Sequence, residues 1–364
     1  MHIHILAFLL FFQSFVACQQ VPESALPMAS GTDFQSVAAG WQRPGSARLT
    51  AANIVFQSVD GGQHWQDVSA GLPQYLQAWC VFAGGGEVFL GAESGLYKGG
   101  SAAVPAWEKV LFLDESISDI LPGRSGPYAC ISRSGIFQET LLGTGLWQPM
   151  YTDLNDKMVR TVLETPEGTV FVGCDSGIFK STDRGNTWKQ VFAGKMVTSL
   201  VAADGVLVGG GLQGLLRSTD GGEHWDLVLT EDGMIRKVGR IGTRLVSISS
   251  GVAPWQEVAG DPERMSSRLR TSADGGKTWQ RLDENLPKAQ SLDTVVGRLS
   301  PVRYINDIEQ VGNFLFCSLD SGIYRSVDQG KTWELVLPAT EKKMFMLAAT
   351  GEVIFAVLAE FNGC

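Results

Sequence analysis

The chain has 364 residues, with 29 Lys or Arg against 38 Asp or Glu and a formal net charge of −9. It carries no basic stripe that could neutralise phosphates, so this balance argues against non-specific nucleic-acid binding. Glycine is abundant at 43 residues and no long amphipathic helical pattern occurs, which favours short strands joined by tight turns.

The N-terminal segment predicts export. Residues 3–16 form an apolar run too short to span a bilayer, as in a secretory signal peptide. The run ends in Phe15-Val-Ala-Cys18, which resembles a bacterial lipobox, although Leu is usual where Phe15 stands and no Lys or Arg precedes the run. The resemblance implies that a lipid on Cys18 anchors the protein to a membrane in the periplasm or at the outer membrane; a plain signal peptide cleaved nearby is the alternative. We expect a signal peptide over 1–18, a linker over 19–50 and one domain over 51–364.

An eight-residue pattern recurs five times in the rest of the chain. Each copy has Ser, Asp, Gly and Trp at its first, third, fifth and eighth positions, and the copies span residues 58–65, 181–188, 218–225, 272–279 and 326–333. An Asp in a tight turn can accept hydrogen bonds from nearby backbone N–H groups, and Gly supplies the positive φ that such a turn needs. The Ser adds a second acceptor, and the Trp buries apolar area against the neighbouring sheet.

The pattern therefore predicts a hairpin whose carboxylate is structural rather than catalytic. The residues assigned this structural role are Asp60, Asp183, Asp220, Asp274, Asp328, Trp65, Trp188, Trp225, Trp279 and Trp333.

The pattern is identified as the Asp-box, or BNR repeat, and resembles that of sialidases, sortilin-type receptors, xyloglucanases and photosystem assembly factors. Around the copy at 181–188 the chain shows four short strand patterns, the last over 196–203. Four short strands per period, in meander order, are typical of a β-propeller blade. Two further periods, over 87–107 and 127–147, lack the box but keep the strands and the final Trp.

The spacing of the tryptophans gives the number of blades. They stand at positions 65, 107, 147, 188, 225, 279 and 333, mostly near the roughly 40–50 residues expected for a blade. This spacing predicts an all-β fold: a seven-bladed β-propeller of four-stranded antiparallel blades. The first box lacks inner strands, whereas a pair of strand patterns near 344–358 is left over. We therefore expect one blade to combine residues 54–68 with that C-terminal pair, which removes exposed sheet edges.

Two long excursions suggest a binding surface. If the Asp-boxes close the hairpins between third and fourth strands, they lie on one face of the disc, here called the box face. The turns between second and third strands and the links between blades then lie on the opposite face, here called the link face. Two link-face excursions, Ser249–Arg268 and Glu284–Tyr304, are longer than their counterparts, and long loops on a rigid scaffold are either functional or solvated insertions. The candidate binding residues in them are Trp255, Glu257, Arg264, Arg298, Arg303 and Tyr304.

The sequence gives little evidence for a catalytic site. After residues 2 and 4, the only histidines are at 64 and 224, inside Asp-boxes, which argues against His-based triads and metal sites. The sialidase resemblance implies a cluster of three Arg, a Tyr–Glu pair and an Arg-Ile-Pro motif, and that motif is absent. Paired carboxylates of a glycoside hydrolase remain conceivable. The candidates are Asp175 and Asp320, each in an Asp-Ser-Gly turn that is also ordinary turn chemistry.

The resemblance to propellers of the photosystem II assembly-factor type covers nearly the whole mature chain, through segments such as 177–183 and 322–328. It implies a monomeric, non-catalytic binding or scaffold protein whose partner is a protein or a glycan, with no cofactor or metal. The alternative is a glycan-active or glycan-binding protein of the sialidase or glycoside hydrolase type.

Overall fold

The structure is a computed structural model that describes residues 53–99, 107–111, 113–131, 135–140, 145–150, 158–251, 262–288, 292–295, 298–339 and 343–360. The expected signal peptide, the lipidation at Cys18 and the linker lie outside these ranges and stay predictions. In the described part of the chain, no helix has the length and apolar character needed to cross a membrane.

The described strands form seven four-stranded antiparallel sheets and one separate two-stranded hairpin. The seven sheets confirm the predicted seven-bladed propeller. We number the blades by their tryptophans in chain order. Blade 2 contains β3 (Ala78–Gly84), β4 (Glu87–Ala92), β5 (Gly95–Gly99) and β6 (Glu108–Lys109). Blade 3 contains β7 (Ile117–Leu121), β8 (Tyr128–Ile131), β9 (Gly135–Glu139) and β10 (Trp147–Pro149). Blade 4 contains β11 (Val159–Glu164), β12 (Val170–Cys174), β13 (Gly177–Ser181) and β14 (Lys189–Ala193).

The remaining consecutive blades follow the same meander. Blade 5 contains β15 (Val197–Ala203), β16 (Val206–Gly211), β17 (Gly214–Ser218) and β18 (Asp226–Leu229). Blade 6 contains β19 (Ile235–Ile241), β20 (Arg244–Ser249), β21 (Arg268–Ser272) and β22 (Gln280–Arg281). Blade 7 contains β25 (Ile305–Val311), β26 (Phe314–Leu319), β27 (Gly322–Ser326) and β28 (Glu334–Pro338). Helix α1 (Pro262–Met265) lies between β20 and β21 of blade 6. A 3-10 helix (Asp283–Asn285) and the hairpin of β23 (Leu292–Val295) and β24 (Arg298–Pro301) lie in the chain between blades 6 and 7.

Blade 1 closes the ring, as the sequence predicted. Its strand order is β29 (Lys343–Thr350), β30 (Val353–Glu360), β1 (Val55–Ser58) and β2 (Gln66–Asp67). The antiparallel register between β1 and β30 pairs Val55 with Val357 and Ser58 with Ile354. The N-terminal hairpin of β1 and β2 thus joins the C-terminal hairpin of β29 and β30 in one sheet. The edges of β1 and β30 pair with each other.

The hydrophobic core is divided among the seven seams between neighbouring blades. Each first strand packs against the first strand of the next blade, in the ring β29, β3, β7, β11, β15, β19, β25 and back to β29. Each seam also holds its own apolar cluster; the seam between blades 7 and 1, for example, contains Phe316, Phe345 and Ile354. The cysteines at 80, 130, 174 and 317 are free and buried in these clusters. Stability therefore comes from contacts between sheets, as expected of a repeat protein.

Backbone hydrogen bonds place the link-face turns beside the blade-to-blade links. In blade 2 the N–H of Glu93, in the turn between second and third strands, donates to the carbonyl of Gln77 just before the first strand, at 3.1 Å. Leu212 donates in the same way to Met196 in blade 5, at 3.0 Å. Because strands alternate in direction, the Asp-box hairpins lie at the opposite end of each blade.

Candidate functional site

The Asp-boxes hold their carboxylates within their own turns. In blade 7 the Ser326 hydroxyl donates to Asp328 Oδ1 at 2.8 Å and accepts from the N–H of Gly330 at 2.8 Å. Asp328 Oδ1 accepts from the N–H of Thr332, and Oδ2 accepts from the Thr332 hydroxyl, at 2.8 and 2.7 Å. Trp333 donates Nε1–H to the carbonyl of Gly330 at 3.2 Å. The hydroxyl and N–H of Thr332 lower the pKa of Asp328 to about 2.

The contacts of Ser and Asp recur in the other four boxes, which supports the structural interpretation of all five carboxylates. The Trp contact recurs in three of them, whereas Nε1 of Trp65 has no hydrogen-bond partner among the described residues. In two boxes a histidine replaces the Thr. His64 places Nδ1 at 2.7 Å from Asp60 Oδ2, and His224 places Nδ1 at 2.6 Å from Asp220 Oδ2. The imidazole thus takes the position of the Thr hydroxyl against the second carboxylate oxygen, and both histidines are exposed on the box face.

The two candidate catalytic aspartates lie in link-face turns of blades 4 and 7. Asp175 accepts from Arg160, with Nε to Oδ1 at 2.8 Å, and both side chains are partly exposed. The N–H of Asp320 donates to the carbonyl of Tyr304 at 3.3 Å. The two turns are three blades apart around the ring, and in the described residues no group of three or more His, Cys, Asp or Glu is arranged to hold a metal ion.

Three of the six candidate binding residues lie at the link-face end of blades 6 and 7, namely Arg264, Arg303 and Tyr304. Arg264, in α1, pairs with Asp232 of the preceding link, with Nη2 to Oδ1 at 2.8 Å. Tyr304 packs against Met265 and Val302, both buried. Arg298 begins β24. Trp255 and Glu257 lie outside the described residues.

Arg303, the remaining candidate, forms an ion pair with Asp283, whose side chain is 0% exposed. Its Nη2 donates to Asp283 Oδ2 at 2.7 Å and its Nη1 to the Asp283 carbonyl at 3.0 Å. The N–H of Arg303 donates to the Ser266 hydroxyl at 3.1 Å, and its carbonyl accepts from the N–H of Ser267 at 2.9 Å. Arg303 therefore connects the two excursions through its hydrogen bonds, a role that the sequence did not indicate.

Two more arginines lie beside this pair and were missed from the sequence. Arg281 donates Nη2 to Asp283 Oδ2 at 3.1 Å and Nη1 to Glu263 Oε1 at 3.1 Å. Arg268 donates Nη2 to the carbonyl of Glu263. Burial and the neighbouring charge of Arg281 lower the pKa of Arg268. We name Arg268, Arg281, Arg303, Asp283 and Glu263 the arginine cluster.

Half of the large exposed apolar side chains in the described ranges lie on the link face. Tyr75 in the link from blade 1 to blade 2 is 88% exposed, and Leu111 in the next link is 74% exposed. Trp79, Met158 and Leu212 add to this surface from the start of β3, the link before β11 and the turn after β16. The other large exposed apolar residues in the described ranges are Val59, Leu146 and Val327 on the box face, and Leu227 and Leu335 in the fourth strands of blades 5 and 7.

A groove of about 480 Å³ lies beside Tyr75. Its walls are the link segment 73–77 and the turn of blade 2 that contains Glu93 and Ser94, and it ends at Tyr97. The Ser94 hydroxyl lies 3.1 Å from the Tyr97 hydroxyl. The groove thus combines an exposed aromatic ring with hydroxyl and carboxylate groups.

Comparison with known proteins identifies the repeat. Residues 178–191 match the family model of the BNR-Asp box repeat. The chain is a seven-bladed β-propeller that carries Asp-box repeats. No curated protein sequence is similar enough to be matched to it.

Several solved structures share this propeller fold. YCF48 bound to a D1 peptide is 14% identical with a TM-score of 0.51, and the match covers 81% of this chain and 96% of that one. The extracellular domain of the two-component system protein BT4673 of B. thetaiotaomicron is 10% identical with a TM-score of 0.54, covering 81% of this chain and 40% of that one. An ancestral GH74 enzyme is 15% identical with a TM-score of 0.50, covering 79% of this chain and 40% of that one. At these identities the similarity shows the fold alone.

Proposed function

We propose that this Asp-box propeller is a non-catalytic binding protein that is exported, is tethered to a membrane through a lipid on Cys18, and binds a protein partner with its link face. The observation that carries the proposal is the aromatic ring of Tyr75, which is 88% exposed beside a groove on that face. Aromatic side chains are enriched at the sites where protein partners bind.

The ion pairs that fix the link-face loops support a binding role. The excursions of blade 6 are held by the buried pair of Arg303 and Asp283 and by the pairing of Arg264 with Asp232. A surface fixed in advance loses less conformational entropy when a partner binds. A propeller that shares the fold, YCF48, is known as a complex with a D1 peptide, so the fold is compatible with peptide binding.

The carboxylates support binding rather than glycoside hydrolysis. Those of the Asp-boxes accept hydrogen bonds from their own turns, and Asp175 is paired with Arg160. Hydrolysis by paired carboxylates requires two groups about 5–10 Å apart across one substrate. Of the two candidates, which belong to turns of blades 4 and 7, Asp175 already has Arg160 as its counter-ion.

Site-specific photo-crosslinking tests the proposal. A photoreactive amino acid replaces either Tyr75 on the link face or Val327 on the box face, which is 64% exposed and serves as the matched control. In cells that produce the protein natively, we expect a protein adduct from position 75 and none from position 327. Equal adducts from both positions, or no adduct from position 75, would overturn the proposal, and turnover of a glycan panel by the purified protein would favour the glycan-active alternative.

A further inference from the structure

Three guanidinium groups converge at the link face of blade 6. Arg268 begins the third strand β21, Arg281 ends the fourth strand β22, and Arg303 precedes the first strand of the next blade. Both Arg281 and Arg303 donate to Asp283 Oδ2, and the charge of each lowers the pKa of Arg268. Three like charges therefore share one small volume in a protein whose net charge is −9.

The two carboxylates of the arginine cluster differ in accessibility. Asp283 is 0% exposed and forms the fixed counter-ion at the base of the cluster. Glu263, in α1, is 65% exposed and places Oε1 at 3.1 Å from Arg281 Nη1 and 3.6 Å from Arg268 Nη2. Three guanidinium groups against two carboxylates leave an excess of one positive charge, and only one of the carboxylates lies at the surface.

Some donors of the cluster are unsatisfied. Within the described ranges, Nη1 of Arg268 and Nε of Arg303 are buried without a hydrogen-bond partner. A buried charged donor without a partner is unfavourable, and guanidinium groups prefer planar, bidentate carboxylate acceptors. The two carboxylates of the cluster therefore do not satisfy all of its guanidinium donors.

We propose that Arg268 and Arg281 form a subsite for a carboxylate of the partner, and that Glu263 occupies this subsite in the free protein. The incoming carboxylate replaces the exposed Glu263 side chain, while Arg303 and Asp283 hold the two ligating arginines in position. This inference rests on the proposed function, because it assigns the chemistry of a contact on the same face.

The experiment uses the full-length chain and a carboxylate probe with a neutral counterpart. Binding of N-acetylglycine and of N-acetylglycinamide is followed by ligand-observed NMR at constant ionic strength. Glu263→Gln removes the internal competitor, and Arg281→Gln removes a ligating group that is only partly buried. Arg244→Gln is the control, because Arg244 is an exposed arginine of the same blade at the box-face end of β20. Melting temperatures confirm that each variant is folded.

We expect the wild-type protein to bind N-acetylglycine and not its amide. Glu263→Gln should bind the probe several-fold more tightly, whereas Arg281→Gln should bind it about tenfold more weakly, since charge-assisted bidentate bonds are strong. Arg244→Gln should match the wild type. A purely structural role for Glu263 predicts no gain in affinity.

Three results would overturn the subsite: equal binding of acid and amide, unchanged or weaker binding by Glu263→Gln, or equal losses in the Arg281 and Arg244 variants. The failure of the broader proposal has a different signature. If the probe binds as expected but position 75 gives no protein adduct, the proposal of a protein partner is wrong and the carboxylate subsite is still supported. Adducts from position 75 with no probe binding contradict the subsite alone.

Discussion

Arg325 of blade 7 donates Nη1–H to the carbonyl of Gly61, in the Asp-box of blade 1, at 2.8 Å across 264 positions of the chain. The same contact recurs at other seams: Arg217 donates to Gly275 at 2.7 Å, and the Lys180 ammonium donates to Gly221 at 2.8 Å. A cation just before the Ser of one box thus holds the box of the next blade. Arg325 performs this role at the seam that closes the ring.

Replacing Arg325 with Met should destabilise the domain by about 1–3 kcal/mol, because the carbonyl of Gly61 loses a charged donor in a partly buried site. Arg325 also lies 5.5 Å from the centre of the Phe314 ring, and this cation–π contact is lost as well. Urea unfolding measures the change. Arg244→Met is the control and should stay within about 0.5 kcal/mol of the wild type. Equal effects of the two substitutions would contradict the contact.

Deletion of residues 343–364 should open the ring and destabilise the whole domain. It removes β29 and β30, so β1 loses its partner strand and the apolar clusters on both sides of blade 1 lose Phe345, Phe355 and Val357. A lower melting temperature and increased binding of a hydrophobic dye are the expected results. An intact melting temperature after this deletion would refute the closure.

Substitutions at two neighbouring residues of one Asp-box should have opposite effects on the stability of the domain. Arg184 and Gly185 both adopt positive φ, at 61° and 85°. Gly185→Ala would place a side chain in this conformation and its Cβ at 2.6 Å from Met150 Cε, so we expect a loss of about 1–2 kcal/mol. Arg184→Gly relieves the same strain and should leave thermal stability unchanged or raise it. Similar losses in both variants would show that the turn does not depend on left-handed backbone.

The stability of the domain should fall as pH rises through neutrality, because of Asp119 in β7. Burial raises the pKa of this carboxyl from 3.8 to about 7, although the N–H of Ile120 and the charge of Lys237 lower it. The folded pKa lies above the unfolded one, so the stability contributed is fully present below about pH 4 and is lost as pH rises through about 7. Asp119→Asn cannot ionise. Its melting temperature should therefore decline less than that of the wild type between about pH 5 and 8, and parallel curves would contradict this assignment.

Cys18→Ser should release the protein from the membrane fraction if a lipid on Cys18 is the anchor. Acylation of that sulfur supplies the apolar chain that partitions into the bilayer. Fractionation with immunodetection measures the distribution, and Cys80→Ser, at a buried free cysteine, is the control. Membrane association that persists in Cys18→Ser would point to another anchor or to a tightly bound partner.

The sequence predicted the fold because the Asp-box is local chemistry. Ser, Asp, Gly and Trp interact within eight positions, so their spacing repeats with the blades, and the leftover strand patterns near residue 350 indicated how the ring closes. The arginine cluster has no such pattern: Arg268, Arg281 and Arg303 meet only because adjacent strand ends share one face of the disc. Burial of Asp283, which determines the position of Arg303, likewise depends on an insertion that follows no repeat.

The pairing of β1 with β30 also constrains the order of events during biosynthesis. Val55 meets Val357 only after nearly the whole chain has emerged, and the entropy lost on joining such distant segments makes this contact slow to form. Until then the hairpin of β1 and β2 has an unpaired edge that can associate with other chains. Ring closure is therefore the expected rate-limiting step of folding, and the nascent N-terminal hairpin is the segment that a chaperone would need to shield.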